Sequence, residues 1–172
     1  AAYEQALSRQ PAGRDTRVLH ARLLLIAGRL PEAREELAVL LAEEPSDPEV
    51  LYQLSVLEGI EGNRDARKEL LLKVVSVEPG RADALASLGD LALEEKDSEA
   101  ADSFYRNALS ADPGNLVALL GTAESLSRRK DFEGAAAAAG RPLEAQPDYP
   151  FAYVDRARAR RALGDHAGAN DD

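Results

Sequence analysis

Prolines stand at 11, 45, 79, 113 and 147, each 34 residues beyond the one before. Proline removes a backbone donor and clashes with the preceding turn, so a proline recurring on a strict period marks where helices stop. A fixed period of this length belongs to a stacked array. Each unit there buries its apolar face against its neighbours instead of in one shared globular core.

With each of these prolines at position 32, complete units run 14–47, 48–81, 82–115 and 116–149. The tail of an earlier unit, 1–13, opens the chain, and most of a further one, 150–172, closes it. The third unit shows the pattern best. Leu88 and Gly89 hold positions 7 and 8, Ala101 position 20, Tyr105 position 24, Ala108 and Leu109 positions 27 and 28, and Pro113 position 32. Position 8 is always small: Ala21, Ser55, Gly89, Ala123 and Ala157. Position 20 is small in Ala33, Ala101, Ala135 and Ala169 and departs at Arg67. Small residues on facing helices let the axes approach to the short end of the usual ~8–10 Å. Position 24 holds Tyr3, Leu37, Leu71, Tyr105 and Ala139, and position 28 Leu7, Leu41, Val75, Leu109 and Leu143. These fill the seam between units.

This pattern resembles the tetratricopeptide repeat, a helix–turn–helix unit of 34 residues, and the resemblance covers the whole chain. It implies an all-α fold, a right-handed superhelical solenoid of antiparallel helix pairs, in a single array over 1–172. Turn chemistry agrees. Gly28, Gly62 and Gly164 sit at position 15, where a helix end needs a left-handed residue. Lys96 and Lys130 replace them, each followed by a potential cap, Asp97 or Asp131. Asp47 before Pro48, and Asn115, suit the starts of the next units. The sequence predicts helices over 2–10, 15–27, 31–43, 48–60, 64–77, 82–95, 98–111, 116–129, 132–140, 150–163 and 166–172, and no strands.

Several positions depart from the family pattern. Position 4, often Trp in the family, holds Arg17, Leu51, Leu85, Leu119 and Tyr153, and the chain has no Trp. His20 stands at position 7 in place of Leu, either as a ligand or pH sensor or, more simply, packed or at a rim. Arg67 either runs its aliphatic stem to solvent or is displaced by a rotated helix in which Ala66 takes the small-residue role. In the fourth unit an alanine run, Ala135 to Ala139, precedes Gly140 and Pro142, which predicts a second helix shortened or kinked at 140–143. The run offers either a thin surface for another helix or simply a weak repeat. Neither end carries the polar face of a capping unit, so the chain is expected to be a piece of a longer array.

Composition bears on function by exclusion. The formal net charge of −10 argues against nucleic acid, whose phosphates need Lys and Arg, and against an anionic membrane surface. With no Cys, thiolate metal sites and Cys nucleophiles are out. The 17 Arg against 4 Lys point to a GC-rich bacterial gene, with the compartment, cytoplasm or periplasm, left open. His20 and His166 lie in distant units, no phosphate-binding loop or HExxH is present, and no serine has a His base nearby. Glu35–Glu36, Glu43–Glu44 and Glu94–Glu95 interleave with cations as a solvated face does. No catalytic residue, cofactor or metal is expected. Arg156, Arg158, Arg160 and Arg161 could hold an acidic peptide or anion, or simply form an exposed helix balanced by Asp155 and Asp165.

The family resemblance further implies that positions 2, 5, 9, 12 and 13 of the first helices line a concave surface for a partner's peptide or helix. Position 5 gives an apolar stripe, Val18, Tyr52, Ala86, Leu120 and Val154, although Val18 and Ala86 can equally pack within the chain. Position 9 gives Arg22, Val56, Asp90, Glu124 and Arg158, and position 2 turns from acidic (Asp15, Glu49, Asp83) to apolar (Val117, Phe151). The Lys and Asn with which some members bind chaperone C-termini are missing at positions 5 and 9. The expected groove is Val18, Arg22, Tyr52, Val56, Asp90, Leu120, Glu124, Phe151, Val154 and Arg158, with Tyr52 and Phe151 as anchors. A non-catalytic scaffold for a protein or peptide follows. The alternatives are the repeat arm of a larger enzyme or envelope polysaccharide-export protein, or self-assembly through terminal repeats.

Overall fold

The computed structural model describes residues 13–172, and all the regular structure among them is helical. In the first half these are α1 (Arg14–Ile26), α2 (Leu30–Glu43), α3 (Pro48–Ile60) and α4 (Arg64–Val77). The second half holds α5 (Ala82–Glu94), α6 (Ser98–Ala111), α7 (Leu116–Arg128), α8 (Phe132–Ala145), α9 (Pro150–Ala162) and α10 (His166–Asp171). The predicted helix 2–10, with Tyr3 and Leu7, falls outside the described residues. Two compact units are present, one ending at Pro79 and one beginning at Gly80.

Turns close as the period requires. Gly28, Gly62 and Gly164 have φ of 72°, 80° and 83°, and Lys96 and Lys130 take the same left-handed backbone at 64° and 65°. At each, the next residue donates to a carbonyl five back, for example Arg29 N to Leu24 O at 2.9 Å and Asp97 N to Ala92 O at 2.9 Å. That bond satisfies a carbonyl the helix end leaves free. Asp97, Asp131 and Asp165 then cap α6, α8 and α10 by accepting from the third backbone N–H along. Asp47 caps α3, and Asn115 caps α7 while donating to Asp83 Oδ1 at 3.0 Å.

In the first unit Val18, Ala21, Leu37, Leu40, Val50 and Leu54 form one core cluster and Leu24, Leu25, Ala33 and Leu57 a second. Arg34 on α2 donates to Glu58 on α3 at 2.8 Å and to Glu61, just past its end, at 2.5 Å. Burial works against the Glu58 charge, but the hydrogen bonds from Arg34 and Asn63 outweigh it and hold the carboxyl below its ordinary range. Arg67 lays its stem against Gly59, where a Cβ would stand 3.1 Å from Arg67 Cδ, while Ala66 is exposed. The aliphatic-stem reading is thus the one realised.

The second unit is organised around Tyr105, which is 1% exposed. Its ring lies against Gly89 on α5 and Gly121 on α7; a Cβ at Gly89 would fall 2.5 Å from the ring, and one at Gly121 closer still. Only glycine fits either place. Asp102 on α6 accepts from Ser125 Oγ at 2.5 Å and pairs with Arg129. This is the α2–α3 tie with its charges exchanged.

The fourth repeat corrects one expectation. α8 does not stop at 140 but runs through Pro142 to Ala145, and Gln146 N closes it on Pro142 O at 2.8 Å. Pro142 occupies position 27, buried also as Leu40, Val74 and Ala108. Burial there holds the helix together despite the lost donor, and Gln146 ends it on the usual frame.

Candidate functional site

Within each unit the first helices of the repeats pack on their own partners and on one another. In the first unit α1 lies beside α3, and in the second α7 lies between α5 and α9. What these helices leave outward is the surface available to another molecule.

Among the expected groove residues, depth varies. Val18 is 6% exposed and belongs to the core. It forms the floor of a small cleft of about 190 Å3 flanked by Arg14, Asp15, Leu19, Arg22 and Glu49. Arg22 is exposed, and Tyr52 and Val56 are half-buried, Val56 against the Leu24–Leu57 cluster. Ala86 is fully buried. The position-5 stripe is therefore interrupted at Val18 and Ala86, where the chain uses these side chains for itself.

In the second unit Leu120 is half-buried, whereas Phe151 and Val154 stand open at 66% and 54%. Tyr149 packs against Phe151 with ring centroids 5.8 Å apart. Asp90 accepts from Tyr105 Oη at 2.7 Å. Burial, reinforced by the Asp90 charge, pushes the Tyr105 phenol well above its ordinary range. Glu124 pairs with Arg128 at 2.6 Å, and Arg128 also donates to Leu93 O at the end of α5 at 2.6 Å, where a helix favours a cation.

The arginines of α9 divide by face. Arg156 and Arg160 turn inward onto the Asp172 carboxylate, Arg160 at 2.9 Å, and Arg156 lies over the Tyr153 ring at 5.3 Å. Arg158 and Arg161 remain exposed, Arg158 beside Asp155 at 3.1 Å. Burial raises the Asp155 carboxyl above its ordinary range, Arg158 opposes the shift, and Glu124 adds to it. Val154, Arg158 and Arg161 share a cleft of about 620 Å3 with Pro150, Tyr153 and Ala157. Asp165 caps α10.

The expected groove set left out three outward groups, although position 2 had already pointed to Val117. Val117 is 46% exposed, and Ile26 and Ile60 at position 13 are 79% and 53% exposed. Their positions were the available signal. His20 hydrogen-bonds Glu36 through Nδ1. Arg156 meets Asp172 at the same two repeat positions, 7 and 23. Among the described residues no group of three or more His, Asp or Glu gathers to hold a metal, and no helix is long and apolar enough to cross a membrane.

Comparison with curated proteins returns no match. Solved structures resemble the fold closely. PilW, described as a widely conserved type IV pilus biogenesis factor, is 19% identical with a TM-score of 0.82 over 92% of this chain and 73% of its own. PilF of Pseudomonas aeruginosa is 17% identical with a TM-score of 0.80 over 98% and 77%. YrrB, described as a TPR protein with an unusual peptide-binding site, is 14% identical with a TM-score of 0.69 over 99% and 88%. One sequence pattern of the Tetratricopeptide repeat family matches residues 1–54 and 92–161, and a second matches 56–116. With matches running from the first repeats to the last, and helices and turns on the same period, the chain belongs to the tetratricopeptide repeat family.

Proposed function

We propose that this chain is a non-catalytic scaffold that takes a protein or peptide partner on the outward faces of its first helices. The observation that carries this reading is the outward apolar set of the second unit. Phe151, Val154 and Val117 are 66%, 54% and 46% exposed on helices that pack side by side. Large apolar groups gathered on one face usually serve an interaction. Leu120 adds to that set, while Tyr52, Val56 and Arg22 offer a smaller one in the first unit. Val18, Asp90, Glu124 and Arg158 shape the floor and rims. The likeness to YrrB, whose own description names a peptide-binding site, is in keeping with this use of the fold.

The test is affinity capture from a bacterial lysate with the wild-type chain and with Tyr52→Ala, Leu120→Ala, Phe151→Ala combined. Circular dichroism first establishes equal helicity. The expected result is a partner retained by wild type and lost by the variant. Equal retention by both baits sinks the assignment to this face.

A further inference from the structure

The first helices of the second unit differ in charge in a graded way. α5 carries three carboxylates, Asp83, Asp90 and Glu94, and no cation. α7 carries one of each sign, Glu124 and Arg128, paired to each other at 2.6 Å. α9 carries four arginines against the single Asp155. The helices pack in that order, so charge runs from acidic through neutral to basic across one continuous surface. The apolar groups are not spread evenly over it. α5 presents only small or buried apolar side chains to this face, Ala86 among them, whereas α7 and α9 present Val117, Leu120, Phe151 and Val154.

Two structural facts sharpen the gradient at its basic end. Arg156 and Arg160 are engaged by Asp172 and turned inward. Arg158 and Arg161 are therefore the guanidinium groups presented outward, beside Val154 in a cleft that Asp172, already held by Arg156 and Arg160, also lines. Asp155 is the carboxylate beside Arg158, at 3.1 Å, and leaves Arg158 largely exposed. At the acidic end Asp83 is exposed and accepts a hydrogen bond from Asn115.

Resting on the reading of this face as a partner surface, we propose that its occupant is a dipolar protein segment. Acidic residues of the segment lie on Arg158 and Arg161, two apolar anchors lie on Leu120 and Phe151, and basic residues lie over the carboxylates of α5. Complementary charge at both ends fixes the orientation and rejects segments of one sign, which meet like charge at one end.

Three labelled synthetic peptides of equal length test this by fluorescence anisotropy on the full chain. All carry the same two leucine anchors. One has basic and acidic flanks, one has two basic flanks and one has two acidic flanks. The dipolar peptide is expected to bind tightest and to weaken as salt rises. Combined Arg158→Glu and Arg161→Glu should weaken it about tenfold, the scale of two exposed ion pairs. The same change should strengthen the doubly basic peptide. Circular dichroism checks that the variant keeps its helicity. Equal binding of all three peptides, an order unchanged by the arginine substitutions, or no binding of any peptide overturns the proposal. If the peptides bind with no charge preference and Leu120→Ala with Phe151→Ala abolishes that binding, the partner face stands and only its dipolar occupant falls.

Discussion

Lys96 and Lys130 hold φ near 65°, where a Cβ crowds the following carbonyl. Gly28, Gly62 and Gly164 take that conformation without the clash. The two lysines stay there because the closing hydrogen bonds of Asp97 and Asp131, and the caps those residues form, act on both sides of the strained residue. Relief of the clash exceeds the extra chain entropy that glycine brings to the unfolded state. Lys96→Gly and Lys130→Gly are each expected to stabilise the protein by ~0.5–1 kcal/mol, measured as a raised midpoint in urea. Position 15 was legible from the glycines and from the aspartates after each lysine. The reason Arg67 is tolerated at position 20 was less so, because it depends on Gly59, eight residues earlier and one turn away through space.

At the scale of helices, spacing is set by a few pairs of unequal size. α5 and α7 each give up a side chain, at Gly89 and Gly121, so that Tyr105 of α6 can lie between them. Alanine has the higher helix propensity, by ~1 kcal/mol, yet at 121 its methyl would enter the ring. Gly121→Ala is expected to cost about 1–3 kcal/mol of the second unit's stability, read from urea unfolding. A gain would mean that the ring has room to move. Gly89 was visible in the sequence as the Leu-Gly pair, but Gly121 was not, since it serves the tyrosine of the preceding repeat. α8 shows the opposite limit. Proline and glycine together predicted an early stop, but the helix continues because position 27 is buried whatever residue fills it. Local propensity gives way there to tertiary packing.

For the molecule as a whole, the period was enough to recover the helix boundaries among the described residues to within a residue or two outside α8, because turns, caps and small positions all repeat with it. The outward surface was less legible. Repeat position tells which side of a helix a residue is on, but depth depends on neighbouring bulk. Val18 sinks among Leu37 and Leu40, and Ala86 is too short to emerge, while Val154 stands clear. The buried phenol has a consequence of another kind. Tyr105 resists ionisation in the folded second unit, whereas in the unfolded chain it ionises near ~10. Below that pH both states keep the proton and stability is unaffected; above it the unfolded state loses the proton first and stability falls. After a jump to high pH, phenolate absorbance from Tyr105 should therefore rise only after a delay, once the second unit opens. The delay times the opening of α5, α6 and α7, and Tyr105→Phe should abolish it, so a chain without tryptophan carries its own clock for that event.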